Sequence, residues 1–178
     1  MRIAIIIAGL ALAGCSGGTG NDGAAGNGVL PPGPVTNTED VAAATIPAEV
    51  RMLAEKTVPG MAIAEAERKE REGRIYWDVE GTRPDGSEVE LDILQNGASF
   101  TVVEIQRDLP WADVPAVAVA AARAAPGAFT PVRVIESTQA DGSLVYELFA
   151  ETSKPGEPAM EVQVKDGKAT VLGKRSAH

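Results

Sequence analysis

The segment GRIYWDV (residues 73–79) carries the clearest strand pattern of this 178-residue chain, because its apolar and polar side chains alternate. Ile75, Trp77 and Val79 share one phase, and a period of two predicts a half-buried strand. The segment GSLVYEL (residues 142–148) repeats the pattern about 70 residues later, which indicates an internal repeat.

Further pairs of segments match in the same order at nearly the same offset. These pairs are Ile46-Pro47 with Val114-Pro115, Pro59-Gly60 with Pro126-Gly127, VELDI (89–93) with MEVQV (160–164), and Asn96-Gly97 with Asp166-Gly167. We therefore predict an α+β fold of two tandem repeats, residues 46–109 and 110–178. Each repeat is expected to pack one N-terminal helix on its own antiparallel sheet of three or four strands.

Each predicted helix begins at a proline, Pro47 or Pro115, where the missing N–H is tolerated in the first turn. Apolar residues at helical spacing give the first helix a buried stripe: Val50, Leu53, Ala54 and Val58. Residues 62–72 have the composition of a helix, but the repeat aligns them with the strand-like residues 132–136. We therefore predict a strand over residues 62–68.

The apolar-Pro pairs, the Pro-Gly helix ends, and the strands around Trp77 and Tyr146 together resemble PepSY-like domains. The beta-lactamase-inhibitor-protein fold, also a tandem unit of helix and sheet, is a near neighbour of that pattern. The resemblance implies a secreted or envelope-bound, non-enzymatic protein of a type often thought to inhibit or regulate peptidases. It implies no catalytic set of residues.

Near the N-terminus, Arg2 precedes an apolar run over residues 3–13, which leads into Leu12-Ala13-Gly14-Cys15. These residues resemble the signal peptide of a bacterial lipoprotein, and the last four resemble its lipobox. The resemblance implies cleavage between Gly14 and Cys15 after residues 1–14, with acyl chains on Cys15 that bind membrane lipid. Many lipoproteins that stay in the inner membrane carry Asp directly after the lipidated cysteine. This chain has Ser16 at that position, which by resemblance favours the periplasmic face of the outer membrane.

Residues 15–45 hold the lipidated cysteine and a tether rich in Gly and Pro, for which we predict disorder. Removing residues 1–14 changes the net charge from −9 to −10, and no basic cluster offsets it, so nucleic acid is not an expected partner. Excess acid can attract calcium, but solubility explains it equally well.

The sequence favours no enzymatic chemistry. Its one histidine, His178, is the last residue, and its one cysteine is Cys15, so zinc lacks ligands. No nucleophile elbow or phosphate-binding loop occurs. We expect no catalytic residue, metal or cofactor. A carboxylate-based hydrolase of the cell wall, acting through Asp92, is the weakest alternative.

The polar phases of the strands carry the candidate contact residues. Asp78 and Glu80 share one strand face, beside Glu90 and Asp92 if that hairpin forms, and we expect this face to be solvated. Trp77 is expected in the core, with Tyr146. Tyr76 and Phe149 lie on the opposite phase and are candidates for binding an envelope protein or peptide, although packing between the repeats is an alternative. A structural or chaperone-like envelope protein without a single client is the other reading of function.

Overall fold

The computed structural model describes residues 35–154 and 156–173. The strands are β1 Val35–Ala42, β2 Ala62–Arg71, β3 Arg74–Thr82, β4 Glu88–Asn96, β5 Ser99–Asp108, β6 Arg133–Gln139, β7 Leu144–Phe149, β8 Met160–Lys165 and β9 Lys168–Val171. The helices are α1 Ala48–Thr57 and α2 Ala116–Ala124, and single 3-10 turns cover Ala43–Thr45 and Trp111–Asp113.

All nine described strands form one antiparallel sheet in chain order, so the predicted fold of two repeats with separate sheets is wrong. The sheet is continuous because the end of β5 pairs with β6, from Glu104 opposite Gln139 to Asp108 opposite Ile135. Two separate sheets would each leave an edge of unpaired backbone groups at this point. Pairing β5 with β6 satisfies both edges.

Both helices pack on one face of the sheet, called here the apolar face. Val50 and Ala54 of α1 join a core with Trp77, Val79 and Leu91. Ala118 and Ala122 of α2 join a second core with Tyr146, Leu148 and Val162. The prediction that Trp77 and Tyr146 point into the core is therefore confirmed. Among the residues that the structure describes, no helix is long and apolar enough to cross a bilayer.

The predicted starts of the two helices are confirmed. Pro47 and Pro115 are the N-cap residues of α1 and α2. In the turn between β8 and β9, Asp166 and Gly167 have φ values of +50° and +72°, and both must be positive in a tight turn of this type. Strand β2 confirms the strand predicted over residues 62–68.

The start of the described chain corrects the prediction for the tether. Residues 35–42, expected to be disordered, form β1 and pair with β2 from Ala42 opposite Glu65 to Val35 opposite Arg71. Backbone pairing, which needs no apolar side chain, orders this polar segment. Residues 43–45 of the predicted tether form the 3-10 turn that follows β1. Residues 15–34 of the tether, which include Cys15, lie outside the described residues, as do Gly14 and the rest of the signal peptide.

Candidate functional site: a buried carboxyl cluster and an acidic cleft

The face of the sheet opposite the helices, called here the polar face, aligns acidic side chains across neighbouring strands. Asp78 of β3 lies directly opposite Asp92 of β4, and Glu80 lies opposite Glu90. Directly opposite residues in an antiparallel pair bring their side chains about 4.5–5.5 Å apart at Cβ. The row through Asp78 continues to Glu67 on β2 and to Glu104 on β5.

Asp78, Glu90 and Asp92 are buried and Glu80 is half-buried, so the expectation of a solvated sheet face is wrong. The exposed fractions are 5% for Asp78, 3% for Glu90 and 5% for Asp92. The helices of the described chain contribute their buried residues to the apolar-face cores, so the polar face owes its burial to its own neighbouring side chains. Such mutual covering is expected in a wide sheet, because its twist brings side chains on the same face closer together.

Asp78, Glu90 and Asp92 form a compact group, called here the carboxyl cluster. One carboxylate oxygen from each residue lies within 4.8 Å of the other two. Lys69 of β2 donates a hydrogen bond to Oδ2 of Asp78, and its Nζ lies 3.1 Å from Oε2 of Glu67. Oδ1 of Asp78 and Oε2 of Glu90 are buried without a hydrogen-bond partner. The cluster therefore has unused acceptor capacity.

Burial and mutual repulsion shift the protonation of the carboxyl cluster. Loss of solvation, followed by the charge of Asp78, raises the pKa of Glu90 from 4.5 to about 8. The same causes, with the charge of Glu104, raise the pKa of Asp92 well above its ordinary value. Burial opposes the charge of Lys69, but attraction to Asp78 outweighs it and raises the pKa of Lys69. The buried Glu90 and Asp92 therefore bind protons more tightly than carboxyl groups in water do.

The neighbouring strands carry a second polar group with a different arrangement. Glu104, which is fully buried, accepts hydrogen bonds from Oγ of Ser137 and from Nε2 of Gln139, the latter at 2.6 Å. Nε2 of Gln139 also lies 2.6 Å from Oγ of Ser137. Neutral donors therefore face this carboxyl group on the β6 side.

A cleft of about 640 Å³ opens over β1, β2 and β3 beside the carboxyl cluster. Of its ten described lining residues none is basic, and five carry carboxyl groups: Asp40, Glu65, Glu67, Asp78 and Glu80. Burial, followed by the charges of Glu65 and Glu67, raises the pKa of Glu80 from 4.5 to about 7. Glu65 and Glu80 also line an adjoining cleft of about 320 Å³ with Glu88. The acidic surface thus extends across the end of the sheet.

The two aromatic residues predicted to contact a partner are not exposed, and the exposure expected of them is wrong. Tyr76 is 4% exposed and packs on the polar face with Val103 and Leu94. Phe149 is 5% exposed, and the guanidinium carbon of Arg133 lies 5.5 Å from its ring centroid. The alternation of residues correctly predicted that both lie on the sheet face opposite the helices. Neighbouring side chains on that face cover them.

Sequence reasoning recognised the acidic residues on β3 and β4 but missed Lys69 and Glu104. The available signal was the alternation of Glu67 and Lys69 along β2, which places them on one face. Their meeting with Asp78 depends on the register between β2 and β3, which alternation does not give. Asp92, the acid of the hydrolase hypothesis, lies in the buried cluster rather than at a surface.

No family model matches the chain, and neither the curated proteins nor the solved structures give a match.

Proposed function

We propose that this protein is a lipid-anchored envelope lipoprotein that acts without catalysis, by binding a basic segment of a protein or peptide partner in its acidic cleft. The lipobox-like segment ending at Cys15 supports the anchor. The acidic lining of the cleft is the observation that carries the binding function. The resemblance to PepSY-like domains supports a regulatory or inhibitory role toward a peptidase.

The charge of the cleft favours a basic ligand. Asp40 and Glu65 are exposed at its rim, while Glu67 and Asp78 lie deeper and already share Lys69. Arg or Lys side chains that enter would form charge-assisted hydrogen bonds with carboxylates that no basic lining residue neutralises. Electrostatic attraction of this kind increases the association rate and selects partners by charge.

The position of the cleft favours an extended segment. Strand β1 borders the cleft and pairs only with β2 among the described strands, so its outer backbone groups form an edge of the sheet. An extended peptide can add to such an edge while its alternate side chains enter a neighbouring pocket. A basic strand along β1 would pair with the free backbone groups of the sheet edge and place its basic side chains among the carboxylates of the cleft.

A direct test uses a fluorescein-labelled peptide of alternating Lys and Val residues and measures its anisotropy with the full-length protein at low salt. The double variant Asp40→Asn/Glu65→Gln should bind at least about tenfold more weakly, because it removes two charges from the rim. The matched control, Glu49→Gln/Glu55→Gln, removes two charges from exposed positions on α1 and should change binding by less than about twofold.

Equal weakening in both variants would show that only net charge attracts the peptide, and would refute the cleft as its site. Cross-linking the lipidated protein in native envelopes extends the test to the natural partner. A dominant partner retained by the control but lost by the cleft variant supports the proposal. A diffuse set of proteins retained by both would favour the structural or chaperone-like alternative.

A further inference from the structure

We propose that the carboxyl cluster of Asp78, Glu90 and Asp92 is a binding site for one divalent cation of the Ca²⁺ class. This site adjoins the cleft proposed to bind a basic segment and shares Asp78 with it, but it takes a different ligand and goes beyond that function. No metal-ligand spacing is visible along the chain, because these residues reach one another only through the pairing of β3 with β4.

The distances within the cluster suit a single ion. Oxygens bound to one Ca²⁺ each lie about 2.3–2.6 Å from it, so any two of them are at most about 5 Å apart. One oxygen from each residue of the cluster meets this limit, at 4.8 Å or less. Carboxylate oxygens are hard ligands, which favour Ca²⁺, Mg²⁺ or Mn²⁺ over softer metals.

The unpartnered oxygens are the second observation that points to a ligand. Buried polar atoms are nearly always hydrogen-bonded, and leaving one unpaired is costly. Oδ1 of Asp78 and Oε2 of Glu90 nevertheless have no hydrogen-bond partner, in residues that are at least 95% buried. A cation between these residues would satisfy both atoms.

The charges of the immediate surroundings fit a divalent ion. When ionised, the three carboxylates carry three negative charges, and the ammonium of Lys69, shared between Asp78 and Glu67, compensates at most one of them. At least two negative charges remain, which favours a divalent cation. Glu104, the neighbour of Asp92 across β4 and β5, is held on its other side by Ser137 and Gln139.

A cation can reach this site through the acidic cleft. Asp78 lines the cleft and also belongs to the carboxyl cluster. Its Oδ2 faces Lys69, while Oδ1 is left for the ion. The carboxylates at the rim would concentrate cations at the entrance.

The test uses the full-length protein, stripped with EDTA and titrated with CaCl2 at pH 7.5, with heat of binding and thermal unfolding as readouts. Saturation should raise Tm by about 5–10 °C, the shift expected when a ligand at about 100 times its Kd binds only the folded chain of this size. Glu90→Gln and Asp92→Asn keep the side-chain shape and should each weaken Ca²⁺ binding at least about tenfold.

Two controls separate this site from the other carboxylates. The cleft variant Asp40→Asn/Glu65→Gln should retain Ca²⁺ binding within about threefold, since neither residue belongs to the cluster. Terbium, a luminescent substitute for Ca²⁺, should show emission sensitised by Tyr76, which lies two residues from Asp78 on the same face. Ca²⁺ should displace that emission.

Absence of a saturable Ca²⁺-dependent shift in Tm would overturn the proposal. Equal Ca²⁺ binding by the wild type, Glu90→Gln and Asp92→Asn would overturn it as well. A loss of binding in the cleft variant alone would place the ion at the rim instead of the cluster. The outcomes for Glu90→Gln and Asp92→Asn do not bear on peptide capture, which is tested with the cleft variant and is measured with EDTA present.

Discussion

The two faces of the sheet are both buried, but they are stabilised in different ways. On the apolar face, helices cover Trp77 and Tyr146, and burial alone is favourable because apolar surface needs no partner. On the polar face, burial is favourable only where donors meet acceptors. Glu104 meets two donors there, whereas Glu90 meets other carboxyl groups. The difference shows that a buried polar residue stabilises the fold only when a neighbouring strand offers it a hydrogen-bonding partner.

The largest expected loss of stability comes from Trp77→Ala on the apolar face. Removing this buried indole should lower the free energy of unfolding by about 3–5 kcal/mol, measured by urea denaturation. Trp77→Phe is the control: it keeps most of the apolar contact but loses the 2.8 Å hydrogen bond from Nε1 to Gln95, so its cost should be about 1 kcal/mol. A loss below 1 kcal/mol for Trp77→Ala would contradict the packing of this face.

The carboxyl cluster should give the protein an unusual pH dependence in EDTA. Because the pKa of Glu90 is about 8 in the folded chain and 4.5 ordinarily, the folded state binds more protons between these values. Stability should therefore fall as pH rises from about 5 to 8, and Asp92 and Glu80, whose pKa values are also raised, act in the same direction.

Glu90→Gln sharpens that prediction. It should be close to the wild type in stability at pH 4 and about 2–4 kcal/mol more stable at pH 8, measured by urea unfolding at both pH values. Glu55→Gln, on the exposed side of α1, serves as the control and should leave the pH profile unchanged. A wild type that gains stability between pH 5 and 8 would contradict the protonated cluster.

The smallest expected effect is on the polar group of β5 and β6. Glu104→Ala leaves the donors of Ser137 and Gln139 without their acceptor, which should cost about 1–3 kcal/mol. Relief of repulsion with Asp92 opposes part of that loss. Glu104→Gln keeps an acceptor oxygen and should lose less than half as much. If Glu104→Ala matches the wild type in a urea titration, the donors have found other partners.

Much of the local structure was predictable from the residues themselves. Pro47 and Pro115 marked the helix starts, and the alternation around Trp77 and Tyr146 assigned the buried phase. These are short-range effects of backbone geometry and side-chain period. The joining of β5 to β6 and the addition of β1 were not predictable in this way, because pairing between strands depends on partners distant in the chain.

The candidate site was half predictable for the same reason. Alternation placed Asp78 and Glu80 on one face and expected Glu90 and Asp92 beside them, and the register of β3 with β4 bears this out. It did not predict the ion pair with Lys69, the burial of Tyr76, or the loss of solvent from the carboxyl groups.

Neighbouring residues alone show which side of each strand is polar and where each helix begins. That nine strands form one sheet, and that Asp78, Glu90 and Asp92 on its polar face lose their contact with water, depends on pairing between distant parts of the chain. That loss depends on side chains from several strands covering one another. It is also what turns acidic residues of ordinary appearance into groups with raised pKa values and unpaired oxygens.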